Sequence, residues 1–100
     1  MNDKALSRDD VLRELRLRKD HWQNRYGVVR IGVFGSMARG EAGGENDVDV
    51  VVQMAPNLFL RSALKAELSD LLGMPVDVVR YRKGMNKGLK KRIDQEAHYV

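Results

Sequence analysis

The sequence contains no cysteine, only two histidines and two prolines, and no long apolar run. Without cysteine there is no disulfide, no zinc–thiolate site and no thiol nucleophile. His21 and His98 are isolated from other metal-ligating residue types, so a histidine metal site is not indicated. No stretch approaches the roughly 18 apolar residues that a membrane helix needs, and residues 1–4 do not open a signal peptide. These absences predict a cytoplasmic globular protein with no membrane partner.

The length and charge of the chain indicate its domain organisation and the kind of partner it binds. Of the 100 residues, 43% are hydrophobic and 32% are charged, which is the balance of a folded protein. A chain of this length predicts a single domain over residues 1–100, with one core and one site at its edge. Eighteen Lys and Arg against 14 Asp and Glu give a formal net charge of +4. This excess predicts an anionic partner, which is a nucleotide, a nucleic acid or an acidic protein.

Capping residues and hydrophobic periodicity predict alternating helices and strands. Ser7 and Asp10 are placed as a capping box, and Asn57 and Asn86 as caps of two later helices. Gly73 marks the expected end of the longest later helix. The predicted order is helix 7–26, strand 28–34, a short helical turn, strand 47–54, helix 57–72, strand 76–81 and helix 86–99.

Three aspartates alternate with valines on two of the predicted strands. Asp47 and Asp49 are two residues apart, so their carboxylates share one face, roughly 6.5–7 Å apart at the backbone. Two such charges repel by about 2–3 kcal/mol at an effective dielectric constant of 20, and a hard divalent cation such as Mg²⁺ would reverse this repulsion. Asp77 joins them only if its strand is a neighbour; alone it is typical of a solvent-facing edge residue. Three converging carboxylates suit two metal ions and nucleotidyl transfer.

A glycine-bearing turn follows the first predicted strand. Gly35 lets the backbone approach a phosphate, and the Ser36 hydroxyl can donate a hydrogen bond to its oxygens. Arg39 is placed to neutralise the same anion, although a structural ion pair explains it equally well. The turn lacks the lysine of a Walker-type loop, so it is informative only together with the aspartates.

These residues together resemble a known family. Gly35-Ser36, ten intervening residues and Asp47-Val48-Asp49 match the GSx₁₀DxD signature of the DNA polymerase beta-like nucleotidyltransferase superfamily. The string GSMARGEAGGENDVDVVV is similar to the form found in the minimal nucleotidyltransferases. One departure is Asn46, which stands where the family usually has Ser, and Asn can keep a similar local hydrogen bond.

The resemblance implies both a fold and a reaction. The fold is α+β in two layers, with a small mixed sheet and helices packed on one face, as in the palm of nucleotidyltransferases. The reaction is metal-dependent transfer of a nucleotide from an NTP with release of pyrophosphate. By resemblance, Asp47, Asp49 and Asp77 hold two Mg²⁺ ions and are catalytic, with Asp77 also activating the acceptor hydroxyl. Gly35 and Ser36 hold the β- and γ-phosphates, and Arg39 is assigned beside them.

The resemblance also implies a partner. Minimal nucleotidyltransferases usually act beside a HEPN-domain ribonuclease toxin, and this chain is short enough that the acceptor site is expected to come from another chain. The implied function is that of an antitoxin that forms a hetero-oligomer with the toxin. It would transfer AMP from ATP to a tyrosine of the toxin.

Two other functions remain open at this level. One is an antitoxin that neutralises the toxin by binding alone. The other is a nucleic-acid-binding module, for which the seven cations between Arg80 and Arg92 are the main support. This stretch contains only Tyr81 as an aromatic residue for base stacking, so nucleic acid is the less favoured partner.

Overall fold

The computed structural model describes residues 6–40 and 47–100 of the chain. Asn46, the rest of the loop before Asp47 and the first residues of the chain lie outside the described part. The helices are α1 (Arg8–Leu17), α2 (Lys19–Tyr26), α3 (Gly35–Ala38), α4 (Leu58–Leu72) and α5 (Lys87–Glu96). The strands are β1 (Arg30–Phe34), β2 (Val48–Gln53), β3 (Val76–Arg80) and β4 (His98–Tyr99).

The described strands form one mixed sheet in the order β3-β2-β1-β4. Strand β2 pairs antiparallel with β1 and parallel with β3, and α4 makes the crossover that a parallel pair requires. The register aligns Asp49 with Phe34 on one side and with Asp77 on the other. The prediction of an α+β fold with a small mixed sheet is confirmed.

The main core lies between the sheet and helices α1, α2 and α4. Alternate valines of β2 are fully buried there together with leucines of α1 and α4. Trp22 is also fully buried, and its indole N–H donates to the carbonyl of Leu15 at 3.1 Å. This bond satisfies the one polar atom of the largest core side chain, and in the described residues no buried side-chain nitrogen or oxygen lacks a hydrogen-bond partner.

A smaller cluster lies on the opposite face of the sheet. Phe34 and Val51 pack there with Ile93 of α5 and with Met85 from the loop before it. The expectation of helices on one face therefore holds for α1, α2 and α4, while α5 covers part of the second face. The physical reason is that both faces of the central strands carry buried apolar side chains.

Local signals placed the helix starts correctly. Ser7 and Asp10 form the predicted capping box, and the side chains of Asn57 and Asn86 accept hydrogen bonds from backbone amides of the first helical turns. The predicted helix 7–26 is two helices, because the backbone at Arg18 (φ −113°, ψ 24°) leaves the helical region. Within the described residues, no helix has both the length and the apolar character required to cross a bilayer.

The C-terminal segment differs from its prediction. Helix α5 ends at Glu96 rather than near Tyr99, and Ala97 is extended (φ −68°, ψ 136°). The next two residues form β4, in which Tyr99 pairs with Gly32 of β1. Helical periodicity alone could not reveal this strand, because its backbone hydrogen bonds go to a segment far away in the chain.

Candidate active site

Asp49 is at the centre of the site because of its position in the middle of the sheet. Its sequence neighbours Val48 and Val50 belong to the main core, so Asp49 points to the opposite face, which α5 partly covers. Its side chain is half-buried. Asp47, two residues earlier, precedes β2 and is exposed.

Asp77 lies beside Asp49 on the neighbouring parallel strand. The two residues are register partners, which meets the condition under which Asp77 was expected to join the other carboxylates. Asp77 is exposed, and its Oδ1 atom is 3.9 Å from Nζ of Lys65 on α4. The structure therefore brings the third aspartate beside Asp49, on the edge strand, where a lysine contacts it.

Burial and charges of both signs act on the Asp49 carboxyl. Burial raises the pKa of the Asp49 carboxyl, and the negative charges of Asp77 and Asp47 raise it further. The positive charges of Arg92 and Arg39 oppose this shift. A carboxylate held among like charges in a half-buried position favours binding of a cation, which would relieve both the burial and the repulsion.

Gly35 is packed directly against the Asp49 carboxylate. Its φ of +78° is a left-handed conformation that favours glycine, and a Cβ atom built on it would overlap Oδ2 of Asp49. Gly35 also begins α3 immediately after β1, and Ser36 follows in the same helix. The glycine-bearing turn and the carboxylate strand thus meet without a side chain between them.

Arg39 ends α3 and reaches toward α5. Its Nη1 atom is 2.9 Å from Oε1 of Glu96, and its positive charge also acts on Asp49. Both interpretations of Arg39, as a phosphate ligand and as a structural ion pair, agree with this position. Sequence reasoning did not single out Glu96 or Lys65, and it considered Arg92 only as part of the basic stretch, because the relation of these residues to the site depends on how α4 and α5 pack.

The three aspartates form a hard-oxygen donor set, although they are not arranged around one point. In the described part of the chain, no group of three or more His, Cys, Asp or Glu side chains is arranged to hold one metal ion. The donor chemistry and the close approach of Asp49 to the Gly35 backbone nevertheless fit Mg²⁺ bound together with phosphate oxygens. The assignment of Asp47, Asp49 and Asp77 as metal ligands stays a prediction.

Comparison with known proteins gives the family. A profile of the nucleotidyltransferase domain matches residues 15–100. Protein adenylyltransferase MntA of Thermococcus cleftensis is 36% identical over 97 residues, which make up 95% of this chain and 97% of that protein.

Solved structures agree with this assignment. A structure described as a candidate minimal nucleotidyltransferase matches with a TM-score of 0.70 and 36% identity, over 89% of this chain and 95% of its own. A complex of the tri-AMPylated HEPN toxin of Shewanella oneidensis with MNT antitoxin matches with a TM-score of 0.57 and 19% identity, over 84% of this chain and 69% of that chain. The second likeness concerns the fold alone. The chain belongs to the nucleotidyltransferase domain family and is a transferase that uses a nucleotide as substrate.

Proposed function

We propose that this protein transfers AMP from ATP to a tyrosine hydroxyl of a HEPN-domain toxin and thereby acts as its antitoxin. The observation that carries the proposal is the position of Asp49, which packs on Gly35 and is paired in register with Asp77. A relative of similar length is named a protein adenylyltransferase. A structurally similar chain occurs in a complex of AMPylated HEPN toxin with MNT antitoxin.

In the proposed reaction, the tyrosine oxygen forms a bond to the α-phosphorus of ATP. The bond between that phosphorus and the oxygen bridging to the β-phosphate breaks, and pyrophosphate leaves. The carboxylate of Asp77 accepts the tyrosine proton, which its exposed position at the sheet edge allows. Two Mg²⁺ ions, held by Asp47 and Asp49 with Asp77, would neutralise the phosphate oxygens and increase the acidity of the tyrosine hydroxyl.

The other predicted site residues hold the triphosphate. Gly35 allows close approach of the backbone, and Ser36 donates from its hydroxyl. Arg39 contributes a positive charge near the β- and γ-phosphates, and its ion pair with Glu96 keeps it at the end of α3. Arg92 adds a second positive charge near Asp49. The two arginines attract a triphosphate more strongly than an anion with a single negative charge, because the triphosphate carries several negative charges.

The contacts around Tyr81 disfavour nucleic acid as the main partner. The Tyr81 hydroxyl donates to Asp94 at 2.8 Å, and Lys90 pairs with the same carboxylate at 3.2 Å while lying over the Tyr81 ring. The aromatic residue available for base stacking in the basic stretch is thus already engaged. We assign the remaining positive charge to attraction of ATP and the toxin. In this proposal residues 1–100 act as a single domain, and the protein forms a hetero-oligomer with the toxin in the cytoplasm.

Two labels distinguish this reaction from alternatives. The purified protein is incubated with a HEPN toxin, Mg²⁺ and ATP labelled either at the α- or at the γ-phosphate. We expect the toxin to acquire the α label and not the γ label, and mass spectrometry to locate AMP on tyrosine. Omission of Mg²⁺ or addition of EDTA is expected to abolish labelling.

Three results would contradict the proposal. Transfer of the γ label would indicate a kinase reaction, and AMP on another residue type would refute the tyrosine assignment. Toxin neutralisation without any labelling would instead support an antitoxin that acts by binding alone. A HEPN toxin whose acceptor tyrosine is replaced by phenylalanine is the control for background labelling.

A further inference from the structure

A groove runs between α4 and the strand β3, next to the candidate active site. It has a volume of about 230 Å³ and is lined by Arg61, Ser62, Lys65, Asp77 and Val78. Asp77 belongs both to this groove and to the aspartate cluster. The groove therefore leads directly to the carboxylate that is assigned to receive the acceptor proton.

The groove carries hydrogen-bond donors that the described protein does not use. Within residues 6–40 and 47–100, the side chains of Arg61 and Ser62 make no hydrogen bond and no ion pair. Lys65 is within 3.9 Å of Asp77, and both side chains of that pair are 56% exposed. Such an exposed pair is weak, so Lys65 can exchange Asp77 for another carboxylate at little cost.

These cations do not serve the stability of α4. Arg61 is the fourth residue of the helix, close to the end where the helix dipole disfavours positive charge. Arg61 and Lys65 are also four residues apart, the spacing at which like charges repel on a helix surface. Their placement is therefore better explained by an anion that comes from outside the chain.

The triphosphate is not that anion. The phosphate-binding residues Gly35 and Ser36 follow β1, whereas the groove lies beside β3, and β2 separates those strands. Two strand spacings amount to about 10 Å, with Asp49 between them. A nucleotide whose β- and γ-phosphates contact Gly35 therefore does not occupy the groove. The groove lies on the other side of Asp49, where the acceptor is expected to bind.

We propose that this groove docks an acidic segment of the protein acceptor, so that the enzyme selects a tyrosine flanked by carboxylates. The inference rests on the proposed function and adds the class of acceptor sequence. Arg61 and Lys65 pair with carboxylates beside the tyrosine, and Ser62 donates a further hydrogen bond. The acceptor hydroxyl is then brought to Asp77 at the end of the groove.

The direct test is a nuclear magnetic resonance titration of the full chain with two peptides. Each contains one tyrosine, with two glutamates on either side in the first and two lysines on either side in the second. We expect the acidic peptide to shift the backbone amide signals of residues 61, 62, 65, 77 and 78, and to bind at least 10-fold more tightly than the basic peptide. Larger shifts elsewhere, or equal affinity for both peptides, would overturn the proposal.

Charge reversal supplies the matched variants. R61E with K65E is expected to weaken binding of the acidic peptide by about 10-fold or more, because attraction is replaced by repulsion. R16E with K19E, a double charge reversal of the same size at exposed residues of α1 and α2 outside the groove, is expected to leave that affinity within 2-fold. Equal weakening by R16E with K19E would show that only net charge matters and would contradict a specific groove.

A transfer assay separates this inference from the proposed function. With labelled ATP, the groove variant R61E, which leaves the contact between Lys65 and Asp77 in place, is expected to raise KM for the protein acceptor about 5-fold while kcat and ATP affinity stay unchanged. If the wild-type protein labels no acceptor but the acidic peptide still shifts the groove signals, the proposed function fails and the docking site stands. If labelling proceeds and the groove variant has an unchanged KM, the docking proposal fails and the function stands.

Discussion

At the scale of single residues, Asp49 is where stability and function conflict. It is half-buried, it has Asp77 as its register partner, and its carboxylate packs against a glycine with no room for a side chain. A buried charge with like-charged neighbours costs folding free energy. The fold accepts this cost at the position that we propose holds a metal ion.

The first prediction concerns removal of that charge. Asp49→Asn keeps the size of the side chain and removes both the repulsion and most of the cost of burial. We expect the free energy of unfolding, measured by urea denaturation in EDTA, to rise by about 0.5–2 kcal/mol. Nucleotidyl transfer is expected to fall by at least about 100-fold, because several kcal/mol of charge stabilisation are lost. A less stable variant with normal transfer would contradict this role.

The second prediction compares two glycines with the same backbone strain. Gly35 has φ +78° and lies against Asp49, whereas Gly73 has φ +67° and no described atom within 4 Å of an added Cβ. Gly73→Ala is expected to cost about 1–2 kcal/mol through the left-handed conformation alone. Gly35→Ala is expected to cost about 1–3 kcal/mol more through overlap with the carboxylate, and also to reduce transfer.

Thermal or urea unfolding of both glycine variants measures the difference, and a transfer assay tests its relevance to function. Gly73→Ala is the control, since it is expected to leave transfer per folded molecule unchanged. Equal destabilisation by the two substitutions would mean that Asp49 moves away at no cost, and would contradict the close packing of the turn on the carboxylate.

The positions of the aspartates, as distinct from their roles, were predictable from the sequence because residue spacing determines them. Alternation along a strand placed Asp47 and Asp49 toward one face, and the structure pairs Asp77 with Asp49 in register. Lys65 and Glu96 could not be predicted as neighbours of the site. Each comes from a helix, and its contact depends on the packing of that helix rather than on local spacing.

At the scale of elements, helix starts were predictable because their signals are local. Ser7, Asn57 and Asn86 cap their helices as expected. The failures have non-local causes. Beyond the break at Arg18, Trp22 is buried and donates to the carbonyl of Leu15. The short strand β4 depends on pairing with β1, which is far away in the chain. The packing of α5 on the second face likewise follows from the cluster around Phe34 and Val51.

Helices α2 and α4 are linked by a polar contact that gives the third prediction. The Tyr26 hydroxyl donates to Glu67, and His21 contacts the other carboxylate oxygen of Glu67 at 2.6 Å. Burial, together with the hydrogen bond and charge of Glu67, raises the pKa of Tyr26 to about 12. Since the ordinary value is 10, the folded state holds this proton more tightly than the unfolded state. The resulting stability is complete below pH 10 and is lost as the pH rises through about 12.

Urea denaturation between pH 8 and pH 12 tests this contact. Tyr26→Phe is expected to lower the free energy of unfolding by about 1.5 kcal/mol at pH 8, because a hydrogen bond to a charged acceptor is lost. It is also expected to reduce the decline between pH 10 and pH 12, to which Tyr99 contributes as well because burial raises its pKa. Tyr81→Phe, at a tyrosine whose hydroxyl lies on the exposed surface, should retain that decline. An unchanged alkaline decline in Tyr26→Phe would show that another group causes it.

At the scale of the whole molecule, two apolar clusters hold the sheet rigid while its site edge stays open. The main core and the smaller cluster beneath α5 immobilise β1 and β2 from both faces. Asp47 and Asp77 remain exposed at the edge, beside a groove with available cations. A well-packed sheet whose site stays open toward a second molecule suits transfer of a nucleotide to a protein.

The most direct measurement is label transfer from α-labelled ATP to a HEPN toxin by the wild-type protein and by Asp47→Asn/Asp49→Asn. Circular dichroism and urea denaturation of the double variant provide the control for folding. We expect the double variant to remain folded and to lose detectable labelling of the toxin, because the carboxylates assigned to both Mg²⁺ ions are gone. Labelling at the wild-type rate by the folded double variant would contradict the assignment of these aspartates as the catalytic metal ligands.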